Sequence, residues 1–415
     1  MLNRFQTFKN SSLFKSAIIL SIGSGIGQLI SVLVSPLLTR IYTPEEFGMF
    51  TLFVSIASTA SVAGAGRLEL AQLVPKRSLA ANIVRTTAKV FAIIFSLLFG
   101  IVLLLLQPKV IENTLYYLLL PMTILLISFG SIQNYYATRK NKFKSISLGN
   151  LIKSISNNSI AIALGLFQYS LGLIVGYIVG NIAFNAFIRF YLPKSRIYVQ
   201  TVKEHLATLT SYKDFPTTNS LSAFSNMATN QLPIIIMAMV FDNTLIGLYG
   251  LLMKVLNMPL IFFGRSISQV LFSRFSSEER KGASMTNWVQ NLAIYLFVGI
   301  TIVMLPFVFW GQEIFSIAFG DEWSEAGRLV VYFIPFYILR FVYFCLSTLM
   351  IVKRRLKTDL IQNVSALFLQ CVMLYAGCYI FENSDITFGL IGTGGALSYL
   401  IFLFQLNSIN SKSVK

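Results

Sequence analysis

Residues 90–106 read VFAIIFSLLFGIVLLLL, 17 consecutive positions without a charge, inside a longer apolar run able to cross about 30 Å of hydrocarbon as a helix. Comparable runs recur along the whole chain. Twelve segments are expected to span, at about 16–38, 47–64, 88–106, 116–136, 147–166, 170–188, 220–240, 246–264, 291–310, 329–349, 360–379 and 386–406. Only helices and closed barrels satisfy every backbone polar group in lipid. These runs are too long and too continuously apolar for the two-residue alternation of barrel strands. At 55% hydrophobic and 12% charged, 415 residues could not clothe a water-soluble surface. The expected fold class is therefore all-α, a polytopic membrane protein of 12 transmembrane helices. The first run follows FKNSSLFKS and exceeds 20 residues with no small-residue cleavage site, so it reads as a retained helix rather than a signal peptide.

A net charge of +17 raises the question of nucleic acid, and the placement of the 33 Lys and Arg answers it. Counting alternate connections and both termini, 26 fall on one side. Only Arg40, Lys109 and Arg328 fall on the other. Basic loops stay in the cytoplasm, so a cytoplasmic (inner) membrane location with both termini inside is expected, and no nucleic-acid partner. Cys345, Cys371 and Cys378 sit inside apolar segments, with neither metal-ligand spacing nor a disulfide framework.

The longest internal polar connection separates two sets of six segments. The expected domains are an N-terminal six-helix lobe (1–190), a cytoplasmic connection (191–219) and a C-terminal six-helix lobe (220–415). Phe47, Gly48, Met49, Phe50 at the start of segment 2 correspond to Ile246, Gly247, Leu248, Tyr249 at the start of segment 8. Ser24, Gln28, Ser31 and Ser35 form a polar stripe on segment 1; Asn219, Ser222, Asn226 and Asn230 form one on segment 7. With an even number of helices per half, the repeat is parallel, a pseudo-two-fold along the membrane normal. Such stripes either line a cavity or bond helices to one another.

An ionisable residue at bilayer depth costs on the order of 2.5–3.5 kcal/mol, so four of them carry information. Lys254 lies a little short of halfway along segment 8. In a continuous helix Arg265, eleven residues on, returns to nearly the same face. Arg340 lies near the middle of segment 10. Lys153 shares a face with Asn150 and Asn157 on segment 5, and Lys89, near the inner end of segment 3, reads as snorkelling to headgroups. Carboxylates are almost absent from the segments; Glu69 alone comes near the membrane interior, where Arg67 can pair with it. Cations without acids suit an anionic ligand and argue against an exporter of cationic drugs. The sole His, His205, lies in the central connection, so no His relay crosses the bilayer.

Four stretches are familiar: LLTRIYTPEEFGMF (37–50), GRLELAQLVPKR (66–77), ISLGNLIKSISNNS (146–159) and FGDEWSEAGRLVVYFIPF (319–336), with Phe319, Gly320, Trp323, Ala326 and Gly327 as the core of the last. Together they resemble the Wzx-type O-antigen and capsule oligosaccharide flippases (polysaccharide biosynthesis proteins) of the multidrug/oligosaccharidyl-lipid/polysaccharide exporter superfamily. The resemblance implies a two-lobed bundle around a central cavity. By alternating access it would move a polyprenyl-pyrophosphate-linked oligosaccharide from the cytoplasmic to the outer leaflet, for O-antigen, lipopolysaccharide or capsule assembly. Membrane lipids, a polysaccharide polymerase and chain-length machinery would be its partners. On that reading Lys254, Arg340, Arg265 and Lys153 hold the pyrophosphate, Gln28, Asn226, Asn230 and Asn257 meet the sugars, and Glu69 is a candidate coupling carboxylate. The turns at Thr43, Pro44, Gly48 and at Asp242, Asn243, Gly247 are candidate hinges. No catalytic residues, metal ligands or cofactor are expected. The alternatives are a small-molecule exporter, which would want an acid in its lumen, and a membrane glycan polymerase, which would want catalytic groups in a large external loop.

Overall fold

Charge gathers between the first two apolar runs because a helix must start there. The Glu46 N–H donates to the Thr43 hydroxyl at 3.3 Å, and the Thr43 N–H donates to the Glu46 carboxylate at 3.0 Å. This reciprocal box, with Pro44 at the first helical position and Glu45 beside the positive end of the dipole, opens the second helix.

The computed structural model describes residues 25–107, 115–192, 201–280, 286–353 and 356–411. Every regular element among them is helical. In order they are α1 (Gly25–Ile41), α2 (Pro44–Gly64), a short α3 (Leu68–Ala71), α4 (Ser78–Leu106), α5 (Tyr116–Arg139), α6 (Phe143–Leu166), α7 (Gly172–Tyr191) and α8 (Val202–Ser211). A π-helical turn (Phe215–Asn219) leads into α9 (Ser220–Met237), then α10 (Asn243–Leu256), a second π turn (Leu260–Gly264), α11 (Arg265–Arg280) and α12 (Thr286–Phe319). The chain ends in α13 (Ser324–Leu346), α14 (Thr348–Val352), α15 (Leu356–Tyr375) and α16 (Ser384–Ser411). Ser24 of the expected stripe and the basic residues Arg4, Lys9, Lys15, Lys109, Lys194, Arg196, Lys281, Arg354, Arg355, Lys412 and Lys415 lie outside the described residues.

Eight of the helical runs are long and apolar enough to cross a membrane, and the protein is a multi-pass membrane protein. The helices outrun their apolar windows: α4 starts at Ser78 rather than 88, and α12 continues to Phe319. The helix α6 is equally long, but its Ser and Asn stripe lowers its mean hydropathy below that of a spanning window.

Residues 1–42 and 49–231 form one compact unit, residues 43–48 and 232–415 the other. In the first, α6 and α7 pack backbone to backbone. A Cβ on Gly176 would come 2.6 Å from the Asn157 carbonyl oxygen, and one on Gly180 2.7 Å from that of Lys153. Phe53, Leu120, Ile124 and Ile174 fill the core nearby. Arg139, at the end of α5, donates to the carbonyls of Gln72, Leu73 and Pro75 at 3.1, 3.2 and 2.6 Å and so straps down the segment after α3.

In the second unit, two of the familiar stretches meet. Phe47 packs edge-on against the fully buried Trp323, with ring centroids 4.9 Å apart. The two turns that correspond in sequence also touch: a Cβ on Gly48 would lie 1.7 Å from the Asn243 carbonyl oxygen, and one on Gly247 1.8 Å from that of Pro44. Neither crossing has room for a side chain. Gly320, which enters α13, has φ +106°, a conformation that costs glycine little.

Candidate anion-binding residues in the two units

Close packing of α6 on α7 sets Lys153. Its ammonium lies 5.5 Å from the ring of Tyr177, which sits between Gly176 and Gly180 in the sequence of α7. Among the described residues no carboxylate pairs with Lys153. Its neighbours on α6 are committed to structure. The Ser154 hydroxyl donates to the Gly27 carbonyl at 2.7 Å and lies 3.0 Å from the Ser31 hydroxyl, and the Asn158 amide donates to the Ser154 carbonyl at 2.7 Å. Of the described polar stripe on α1, Ser31 thus bonds to α6, and the Ser35 hydroxyl donates to the Ser31 carbonyl within α1 at 2.8 Å. Gln28 is the exception: it is half-buried, and its Oε1 is buried without a hydrogen-bond donor.

In the second unit the focus is Tyr337 of α13. Its hydroxyl meets the Met253 sulfur at 2.9 Å and lies within hydrogen-bonding reach of Asn257 and Arg340. The Arg340 guanidinium stands 5.5 Å from the Tyr337 ring and 5.6 Å from that of Phe336, and its charge reaches Tyr249 and Tyr399. An aromatic surround attracts a cation through its ring quadrupoles. Lys254, next to Met253, is half-buried and pairs with no carboxylate among the described residues. Tyr337 therefore links Asn257 and Arg340, and its hydroxyl also meets Met253, the residue that precedes Lys254 in the sequence of α10.

Arg265 departs from expectation. The chain between Lys254 and Arg265 is not one regular α-helix, because the π turn at Leu260–Gly264 inserts about one residue into the ladder and rotates the following helix by roughly 100°. Arg265 is exposed. Asn230 is exposed on α9, and the Asn226 side chain lies outside the described residues.

Glu69 is 4% exposed and lies 3.4 Å from Arg67, its other carboxylate oxygen buried without a donor. Burial pushes its pKa above the usual 4.5, opposed by a backbone N–H and by Arg67. Other acids serve the helix ends. Asp242 caps α10 through the Leu245 N–H at 3.1 Å, Arg328 ties Glu325 to Asp385, and Lys353 pairs with Glu279 at 2.6 Å.

The sequence profile of a family described as "Polysaccharide biosynthesis protein" matches residues 37–328. The chain belongs to that family. No curated protein sequence matches it. Among solved structures, this family member superimposes on "Lipid II flippase MurJ, inward closed conformation" with a TM-score of 0.76 at 14% identity, over 94% of this chain and 87% of that one. An inward-facing "multidrug resistance MATE family transporter of the MOP superfamily" gives 0.66 at 13% identity, over 96% of this chain and 100% of the other. Its outward-facing counterpart gives 0.55 at 13% identity, over 96% and 97%. At these identities the likeness establishes a shared polytopic helical fold.

Tyr177, Tyr337 and Tyr399 carry no sequence motif of their own, whereas Tyr249 closes the repeated stretch Ile246, Gly247, Leu248, Tyr249. Tyr337 precedes Arg340 by three residues and so shares its helix face, and Tyr177 is flanked by the small residues of GYIVG. Those two spacings are the signals that could have marked them.

Proposed function

We propose that this protein is a flippase that carries a polyprenyl-pyrophosphate-linked oligosaccharide from the cytoplasmic to the outer leaflet for O-antigen or capsule assembly. The observation that carries the reading is the charge within the helices. Lys153 in one unit and Lys254 in the other sit inside membrane segments and pair with no carboxylate among the described residues, and Arg340 lies among aromatic rings. A buried cation without a counter-charge is costly unless an anion visits it. A pyrophosphate offers concentrated negative charge, and Arg340 can grip two of its oxygens at once.

In this scheme Lys254 and Arg340 take the pyrophosphate, Lys153 offers a second foothold, and Gln28, Asn230 and Asn257 exchange hydrogen bonds with sugar hydroxyls. The two six-helix lobes rock about the pyrophosphate site while the polyprenyl tail stays in the bilayer. Family membership supports a role in polysaccharide assembly, and the fold supports translocation.

Deleting the gene tests the assignment. The expected result is loss of surface polysaccharide with a lipid-linked oligosaccharide accumulating in the inner leaflet. Lys254→Ala and Arg340→Ala are each expected to reproduce the loss at unchanged protein level. No accumulation, together with a defect in dye efflux, would assign the protein to small-molecule export instead.

A further inference from the structure

A group of cations other than Lys153, Lys254 and Arg340 lies at the basic end of the first unit, on α4, α5 and α7. Arg85 lies flat over the buried ring of Tyr136, 3.8 Å from its centroid, and Lys140 approaches the same ring at 5.7 Å. Lys89, one turn beyond Arg85 on α4, lies close enough to both Arg85 and Arg189 to feel their charge, and Arg85 feels Arg189 in turn. Acids are sparse around them in the sequence. Glu112 is the one Asp or Glu between Ser78 and Lys203. Among the described residues no carboxylate pairs with Arg85, Lys89, Lys140 or Arg189. The Arg85 Nε is buried with no hydrogen-bond acceptor. Neighbouring unneutralised cations repel one another, and a donor left buried without an acceptor costs more.

The surroundings say what form the missing anion takes. Arg189 is exposed, and beside it at the end of α7 Phe190 is 84% and Tyr191 52% exposed, the aromatic arrangement of a membrane–water boundary. From Lys89 the same stripe of α4 runs on, in steps of four, through the exposed Ile93 and Leu97. A cationic head followed by an exposed apolar track matches the outline of a phospholipid. Basic pockets between helices at a membrane surface are where anionic headgroups bind.

We propose that Arg85, stacked on the Tyr136 ring, together with Lys89 and Arg189, holds the phosphate of an anionic phospholipid from the leaflet facing the basic ends of the helices. The site uses none of the residues proposed above for the substrate, and its test reads lipid retention without any transport step.

The full chain, extracted from bilayers of phosphatidylcholine with phosphatidylglycerol, is weighed intact by native mass spectrometry. Wild type is expected to retain phosphatidylglycerol over phosphatidylcholine. Arg85→Gln combined with Lys89→Gln is expected to lower that preference about thirtyfold, at roughly 1 kcal/mol per basic residue. Arg85→Lys, which keeps the charge, should retain most of it, and Lys142→Gln with Lys144→Gln should change nothing. If the double variant does not survive extraction, Lys89→Gln alone should still lose several-fold. No preference in wild type, equal retention by the charge-removing variants, or displacement of the lipid by millimolar inorganic phosphate would each overturn the proposal; the last would make free phosphate the ligand.

Discussion

Glu69 shows what a single buried carboxyl does to the pH response. Because burial outweighs both the backbone N–H and Arg67, its pKa in the folded chain stands above the ordinary 4.5. A carboxyl that binds its proton more tightly when folded lends stability below its unfolded pKa, and that contribution is lost as pH climbs through the raised, folded value. Glu69→Gln removes the titration. Thermal unfolding of the purified variant is therefore expected to occur at a higher temperature than wild type at neutral pH. The gap should close as pH falls to 4.5, and a constant gap would exclude the buried carboxyl as its source. At this scale the sequence was informative where a charge stood inside an apolar run: Lys153, Lys254, Arg340 and Glu69 all announce themselves. The tyrosines around them do not, because an aromatic residue in a hydrophobic helix reads the same whether it faces lipid or a cation.

At the scale of elements, contacts between backbones set the strictest limits. Gly48 and Gly247 allow the starts of α2 and α10 to cross with carbonyl oxygens where side chains would stand. Gly48→Ala places its methyl 1.7 Å from the Asn243 oxygen and is expected to cost about 3 kcal/mol or more, read as a lower melting temperature and reduced expression. Gly299→Ala has nothing within 4 Å and should be tolerated. Arg139 offers a second test, since it gathers the carbonyls of Gln72, Leu73 and Pro75. Arg139→Ala is expected to cost about 2 kcal/mol and to speed proteolysis between α3 and α4, with Arg139→Lys rescuing only part, because one ammonium cannot span three acceptors. Apolar length made the helices readable in advance. The π turn at Leu260–Gly264 was not anticipated although Pro259 precedes it and Gly264 closes it, because the apolar run continues through both, and so the expected alignment of Arg265 with Lys254 fails. The polar stripe on α1 was legible as a stripe. Its division into Ser31, bonded to α6, and Gln28, with its oxygen unused, depends on which helix packs against it, and periodicity alone does not carry that.

For the whole molecule, composition and run length dictated a polytopic helical protein, and four short stretches of turn and helix start led to the polysaccharide biosynthesis family. Those stretches were legible because they are packing devices: Phe47 of one seats on Trp323 of another. The substrate chemistry was less legible, since it rests on charges whose meaning depends on what surrounds them. The central claim is that cations held inside the membrane segments, Lys254 and Arg340 foremost, carry a pyrophosphate across. Its most direct test is transbilayer movement of a fluorescent polyprenyl-pyrophosphate oligosaccharide in liposomes containing the purified full chain, compared with the same oligosaccharide on a polyprenol lacking the pyrophosphate. The account predicts that the charged lipid changes leaflet, that the neutral one moves no faster than in empty liposomes, and that Lys254→Gln and Arg340→Gln each slow the charged lipid about tenfold or more. Equal movement of the neutral lipid, or full activity in both variants, would contradict it.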